Sequence, residues 1–116
     1  MTDPIRSMAI LKPHPGMEQE MVAFLREFYS MMNVKKYSRD MLFHDQKQSD
    51  TYVHIRLWRS PESREAAIHD PDVHRYWMKL PELGTVTEIY EDLEPIFSTE
   101  RSLVVAEDQD YRGEEI

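Results

Sequence analysis

Histidines are the side chains of this 116-residue chain best suited to proton transfer, because an unperturbed imidazole titrates near neutral pH. We predict that His69 or His74 acts as the catalytic base of an active site. They lie five residues apart, one on each side of Pro71. The alternative role of His69 is structural, since a ring at a helix end can donate to a free backbone carbonyl. The five histidines are His14, His44, His54, His69 and His74.

Aromatic and cationic side chains near these histidines in the sequence suggest a pocket for a small molecule. Trp58, Trp77 and Tyr76 can form apolar walls, or they can pack in the core with their single polar atom satisfied. Arg56 can pair with an anionic oxygen of a substrate, or with an acid across a dimer interface. These four residues are the predicted substrate-binding side chains.

Several other kinds of chemistry lack their residues in this sequence. Cysteine is absent, which excludes a disulfide scaffold and a thiolate metal site. No two histidines have the four-residue helical spacing of a zinc site, and no glycine-rich phosphate loop or serine nucleophile elbow occurs. The net charge is −8, and no basic stripe with interleaved aromatics is present. We therefore expect no NAD, FAD or ATP and no nucleic-acid partner. We also expect no metal, although His44 or His54 could approach His69 and His74 from the sheet and form a metal site with a carboxylate.

The distribution of apolar residues bears on location. No run of eighteen apolar residues occurs, so we expect no membrane span. The first residues lack a basic region followed by an apolar one, so we expect no secretory signal and a cytoplasmic protein.

Hydrophobic periodicity predicts the elements that must position these side chains. Ser7–Lys12 is a short apolar run that predicts a buried strand. The chain after Gly16 carries one apolar stripe at a period of 3.6 residues, which predicts a helix. The stripe consists of Met17, Met21, Phe24, Leu25, Phe28 and Met32.

Two strands joined by a polar loop come next, Tyr37–Gln46 and Thr51–Arg59. Apolar and polar residues alternate in the second strand, so its two faces differ. One face is aliphatic, with Val53, Ile55 and Leu57, and the other is mixed, with Tyr52, His54, Arg56 and Trp58. We expect the mixed face to meet a partner or a ligand.

The pairing of the two strands depends on where the loop turns. A turn centred near Lys47 and Gln48 puts Met41 and Phe43 on the mixed face. The same pairing puts Leu42 and His44 on the aliphatic face.

A helix in two pieces follows, Pro61–His69 and Pro71–Leu80. A serine and an aspartate precede the two prolines, which is the pattern of an N-cap followed by proline at the first helical position. We expect Asp70 to cap the second piece, and the break to turn His74 or Trp77 toward the sheet.

The last part of the chain predicts one more strand and an extension. Thr85–Leu93 is rich in Thr, Val, Ile and Tyr, which favour strands. We assign residues 1–97 to a single domain and residues 98–116 to a C-terminal extension. The extension holds a possible fifth strand at 102–106 and an acidic tail.

The order of the elements is strand, helix, strand, strand, helix, strand, which is the ferredoxin-like split βαβ order of α+β proteins with an antiparallel sheet. Two helices can cover only one face of such a sheet. A second copy of the chain is the simplest cover for the other face, so we expect a homodimer whose sheets face each other.

Over residues 5–97 the chain resembles the antibiotic-biosynthesis monooxygenase-like family of dimeric α+β barrels. Members often have a strand that ends in an aromatic residue, a capped helix that ends in His, and a step through proline into more helix. Trp58, His69 and Asp70-Pro71 stand at these places here. The resemblance rests on four segments of the chain: Tyr52-Val53-His54-Ile55-Arg56-Leu57-Trp58, Ser60-Pro61-Glu62, Ala66-Ala67-Ile68-His69 and Asp70-Pro71-Asp72-Val73.

The resemblance implies a pocket between the sheet and the helices. It also implies a cofactor-independent monooxygenase acting on a small aromatic or quinol-type compound. The haem-degrading branch carries Asn, Trp and His at or near the positions of Ala9, His69 and Trp77 here. None of the three matches, so we expect no haem degradation, and His74, three residues before Trp77, is the residue that keeps this alternative open.

The alternative function is that of a non-catalytic dimeric barrel, which binds a small ligand or has a stress or regulatory accessory role. A pocket lined by histidines and aromatic residues favours the enzyme. A pocket filled by Met and Phe side chains favours the accessory role.

Overall fold

A computed structural model describes residues 5–97 and residue 99, and it contains a four-stranded antiparallel sheet with helices on one face. The strands are β1 (Arg6–Pro13), β2 (Ser38–His44), β3 (Tyr52–Trp58) and β4 (Gly84–Leu93), and they lie in the order β2-β3-β1-β4. This order confirms the predicted ferredoxin-like α+β fold. The possible fifth strand at 102–106 and the acidic tail lie outside the described residues.

Helix α1 (Glu18–Val34) packs its apolar stripe against the sheet. Met21, Leu25, Phe28 and Met32 are all at most 3% exposed, as their helical spacing predicts. The helix ends where Lys36 takes a left-handed φ of 62°, which turns the chain into β2. Within the described residues, no helix is long and apolar enough to cross a membrane.

The second helical region is broken as predicted, into α2 (Pro61–Ile68) and α3 (Pro71–Lys79). Asp70 caps α3, because its Oδ1 accepts from the backbone N–H of Asp72 at 2.8 Å. The other carboxylate oxygen of Asp70 accepts from Lys35 Nζ at 2.8 Å and from the Tyr37 hydroxyl at 2.6 Å. The break is therefore tied to the corner between α1 and β2.

The predicted pairing of β2 with β3 was wrong by one residue. Leu42 lies opposite His54, so it shares the mixed face, while Met41 and Phe43 share the aliphatic face. The reason is the seven-residue loop 45–51, which turns about Gln48. Its start is fixed by Asp45, whose Oδ1 accepts from the backbone N–H groups of the second and third residues after it.

The two faces of the sheet have opposite surroundings. The mixed face of β3 lies under the helices, and its four residues are at most 9% exposed. The expectation that this face meets a partner chain is therefore corrected, since the helices already cover it. The aliphatic side, here called the open face, has no helix on it among the described residues. Its apolar residues are Met8, Ile10, Met41, Phe43, Val53, Ile55 and Leu57, and the same registers put Arg6, Arg39, Glu88 and Tyr90 on this side of the sheet.

Candidate functional site

A cavity of about 310 Å³ lies between the covered side of the sheet and the helices α2 and α3. The sheet contributes residues of β1, β3 and β4, and the helices contribute small apolar residues such as Ala67 and Val73. Small-molecule sites usually span about 300 to 1,000 Å³, so the cavity fits a compound of a few rings at most. Ala9 of β1 also lines it, and its short side chain leaves the space open.

Four of the six predicted site residues line this cavity: Arg56, Trp58, His74 and Trp77. Trp58 is 7% exposed, and its indole N–H donates to the Ser7 hydroxyl at 3.0 Å. The single polar atom of Trp58 is thereby satisfied, so its ring can serve as an apolar wall. His74 is exposed while it lines the cavity, which puts it where the cavity meets solvent.

His69 does not line the cavity, which corrects its predicted placement. Its side chain is 72% exposed, and its Nε2 lies 2.9 Å from a carboxylate oxygen of Glu65. Successive helical residues are rotated by about 100°, so a residue two positions after the buried Ala67 points nearly the opposite way. Its ring meets a side-chain carboxylate of α2 and not the free backbone carbonyl of the structural alternative.

Tyr76 also lies outside the cavity. Its ring stacks on Phe28 of α1 at 4.8 Å between centroids, and its hydroxyl donates to Glu27 at 2.9 Å. The residue fills the contact between α1 and α3, and the neighbouring Trp77 takes the cavity side. Periodicity alone did not separate these two adjacent aromatic residues.

Arg56 has its counter-ion within the same chain. Its Nε donates to Asp40 Oδ1 at 2.6 Å, and the two side chains are 3% and 0% exposed. The predicted pairing across a dimer interface is wrong, because Asp40 lies directly opposite on β2. Burial raises the pKa of the Asp40 carboxyl, while the charge of Arg56 acts against that rise. The guanidinium also lies over the ring of Phe28, 5.0 Å from its centroid.

His54 is the site residue that sequence analysis did not choose. It is 6% exposed, it lines the cavity, and its Nδ1 lies 2.5 Å from the hydroxyl of Tyr29 on α1. Burial, with a smaller contribution from the charge of Arg56, lowers the pKa of His54 to about 3. Burial also raises the pKa of Tyr29, with Asp40 adding to the rise. Both groups are therefore neutral at pH 7.

Polar groups on β4 and α2 complete the site. Glu91 and Arg64 line the cavity, and Arg64 is paired with Asp92 at 2.6 Å. Arg64 also lies near the Trp58 ring, 5.9 Å from its centroid. Over residues 5–97 and 99, no three His, Asp or Glu side chains are close enough together to hold a metal ion.

Comparisons with known proteins show the fold. No family model matches the chain, and no curated protein matches it. Among solved structures it is similar to SnoaB, a cofactor-independent oxygenase from Streptomyces nogalater, with a TM-score of 0.66, 16% identity, and coverage of 81% of this chain and 97% of that one.

Two further solved structures are similar to the chain. A candidate antibiotic biosynthesis monooxygenase from Chloroflexus aurantiacus has a TM-score of 0.65, 23% identity, and coverage of 82% of this chain and 95% of that one. Another, from Bacteroides thetaiotaomicron, has a TM-score of 0.67, 12% identity, and coverage of 86% and 96%. The predicted resemblance to the antibiotic-biosynthesis monooxygenase-like fold is confirmed.

Proposed function

We propose that the protein is a homodimeric, cofactor-independent monooxygenase, and that its cavity binds a small aromatic or quinol-type compound. The observation that carries this proposal is the lining of the cavity, which combines two histidines with two tryptophans. The buried Met21, Met32 and Phe28 belong to α1, where they pack in the core, and they do not line the cavity. The likeness in fold to a cofactor-independent oxygenase agrees with this chemistry.

Such a reaction needs no outside reductant, because the substrate supplies all the electrons. A phenol loses its proton, and the electron-rich phenolate reacts with dioxygen through electron transfer at the para carbon, where a carbon–oxygen bond forms. The oxygen–oxygen bond of this peroxide then breaks as the carbon loses its hydrogen as a proton, and the departing oxygen takes up this proton together with the phenolic one. The products are a para-quinone, which keeps one oxygen atom, and water, which takes the other.

The cavity residues have distinct roles in this scheme. His74, at the mouth, removes the phenolic proton and returns it to the departing oxygen. Trp58 and Trp77 hold the aromatic rings and keep water away from the phenolate. Arg56 stabilises the anionic oxygen of the substrate.

The homodimer is supported by the open face. Met41 and Phe43 are 41% and 50% exposed there, beside the aliphatic residues of β3. An exposed apolar patch rimmed by charged side chains, here Arg6 and Arg39 opposite Leu57, is typical of an interface. A second copy of the chain offers a matching apolar surface.

Oxygen-18 labelling tests the proposed reaction with 1-naphthol as the probe compound. In air enriched in 18O2 we expect 1,4-naphthoquinone that carries one labelled oxygen atom, with a second labelled atom in water. His74→Ala should lower the rate by about 100-fold or more, the usual contribution of a general base. His69→Ala is the matched control, because His69 lies on the neighbouring helix outside the cavity, and it should leave the rate unchanged.

The same experiment separates the proposal from the non-catalytic alternative. Binding of 1-naphthol without enzyme-dependent labelling would overturn the monooxygenase and support a ligand-binding barrel. Absence of binding would overturn the cavity as the site. Equal loss of rate in His69→Ala and His74→Ala would remove His74 as the base.

A further inference from the structure

His54 is a buried titratable group in the cavity wall, and the proposed reaction assigns it no role. It stands two residues before Arg56 on the same face of β3, so both side chains reach the cavity from one strand. Each is held from outside the cavity by a different element. Tyr29 of α1 contacts His54, and Asp40 of β2 contacts Arg56.

The contact with Tyr29 determines which nitrogen of His54 is free. Nδ1 is engaged by the Tyr29 hydroxyl, and no described residue makes a hydrogen bond to Nε2. Which group donates in this contact depends on the tautomer of His54. No described residue offers the hydroxyl another acceptor, and a hydroxyl that donates to Nδ1 requires the proton of the neutral imidazole on Nε2. In that tautomer the ring presents an N–H donor.

We propose that the Nε2–H of His54, in the tautomer held by Tyr29, binds the ionised oxygen of the compound in the cavity together with the guanidinium of Arg56. This inference rests on the proposed function and deepens it, because it names the chemical group that the site selects. Tyr29 is a positioning residue, since it acts through His54.

The arrangement selects an oxygen acceptor. Arg56 can only donate, and a neutral imidazole protonated at Nε2 donates as well. A carbonyl or phenolate oxygen matches both groups, whereas an amine or ammonium group at the same position would face two donors. Because His54 stays uncharged, its donor strength does not depend on pH near neutrality. Its surroundings include Arg56 on β3, Tyr29 on α1 and Asp40 on β2, with Glu91 and His74 also on the cavity.

The tautomer can be measured without any ligand. Long-range 1H–15N NMR of the wild-type protein distinguishes a protonated ring nitrogen from an unprotonated one by its 15N shift. We expect the His54 signals to show a protonated Nε2 and an unprotonated Nδ1 between pH 6 and 8. Tyr29→Phe should move both shifts toward the average of the two tautomers. A wild-type ring protonated at Nδ1 would overturn the inference.

Binding of 1-naphthol under nitrogen tests the role of the donor, with naphthalene as the matched ligand that lacks the oxygen. His54→Phe should weaken 1-naphthol binding by about 10- to 100-fold, the range of one hydrogen bond to a charged group. It should change naphthalene binding by less than about threefold. The naphtholate absorption band should arise at lower pH in the wild-type complex than in the His54→Phe complex.

The binding results distinguish a failure of the role of His54 from a failure of the proposed oxygenase function. If both ligands bind and both respond equally to His54→Phe, His54 is a packing residue and the inference is wrong, while the oxygenase proposal stands. If neither ligand binds the wild-type protein, both proposals fail. An unchanged naphtholate band in His54→Phe also overturns the inference.

Discussion

The two sides of strand β3 differ in burial in the opposite way to most monomeric proteins: the charged and polar side is buried, and the aliphatic side is partly exposed. The side under the helices carries an imidazole and a guanidinium, His54 and Arg56, which are 6% and 3% exposed. The open side carries Val53, Ile55 and Leu57, which the described residues leave only partly covered. Aliphatic residues are ordinarily the buried ones, and charged residues are ordinarily exposed.

This distribution of burial indicates a different role for each side of β3. A buried charge is costly unless it has a partner, so the covered side is supported by Asp40 and Tyr29 from two other elements. Contact with water does not stabilise the aliphatic residues on the open side. Each Å² of their surface that another chain covers stabilises the association by about 25 cal/mol. The covered side therefore has the features of a functional site, and the open side those of an interface.

Removal of Asp40 should have the largest effect, because it leaves the Arg56 charge buried without its partner. We expect Asp40→Ala to lower the free energy of unfolding by about 3–5 kcal/mol in urea denaturation. Joint replacement by Asp40→Leu and Arg56→Met should remain within about 1 kcal/mol of the wild type, since no charge is then left unpaired. A loss below about 1 kcal/mol in the single variant would show that the pair is not buried in solution.

A charge on the open face should separate the two chains of the proposed homodimer. Light scattering of the wild type at micromolar concentration should give about 28 kDa, twice the chain mass of 13.9 kDa. Ile55→Glu should raise the dissociation constant by about 100-fold or more, because an unpaired carboxylate in an apolar interface costs about 3 kcal/mol or more. Val34→Glu is the matched control, since Val34 is 77% exposed at the end of α1. A wild-type monomer, or a dimer unaffected by Ile55→Glu, contradicts the assignment of the interface.

Acid should destabilise the covered side through His54. The folded pKa of about 3 lies below the unfolded value of 6.5, so below pH 6.5 the unfolded chain binds a proton that the folded chain does not. Stability is thus complete above pH 6.5 and declines as pH falls toward 3. Between pH 8 and pH 5 the wild type should lose about 2 kcal/mol more than His54→Gln. Equal losses in the two proteins would mean that His54 is accessible to water.

The smallest expected effect concerns the break between α2 and α3, which separates the cavity-lining residues Ile68 and Val73. Asp70→Ala should cost about 1 kcal/mol of unfolding free energy, the usual loss for an N-cap. Tyr37→Phe removes only one hydrogen bond to the same carboxylate and should cost less. Thermal unfolding measures both. If Tyr37→Phe costs as much as Asp70→Ala, the hydrogen bond from Tyr37 accounts for the loss and the cap contributes nothing measurable.

The sequence was sufficient to predict the helices and strands and some of the residues that line the cavity. The helical stripe of α1 and the two proline starts of α2 and α3 are local signals, so their limits agree with the structure within one or two residues. Trp58 and Trp77 were predicted to line a pocket, and both line the cavity. Alternation along β3 had also put His54 beside Arg56 and Trp58 on one face, which was the available signal for the missed residue.

What the sequence by itself determined are the properties that depend on neighbours along the chain: the strand and helix periods, the caps, and the order that gives a split βαβ sheet. The tertiary structure alone decided which face of β3 the helices cover, which acid pairs with Arg56, and that His54 meets Tyr29. These contacts join different elements, 16 positions apart for Asp40 and Arg56 and 25 for Tyr29 and His54. A one-residue shift in a hairpin exchanges the two faces of a strand, so local patterns do not determine such contacts.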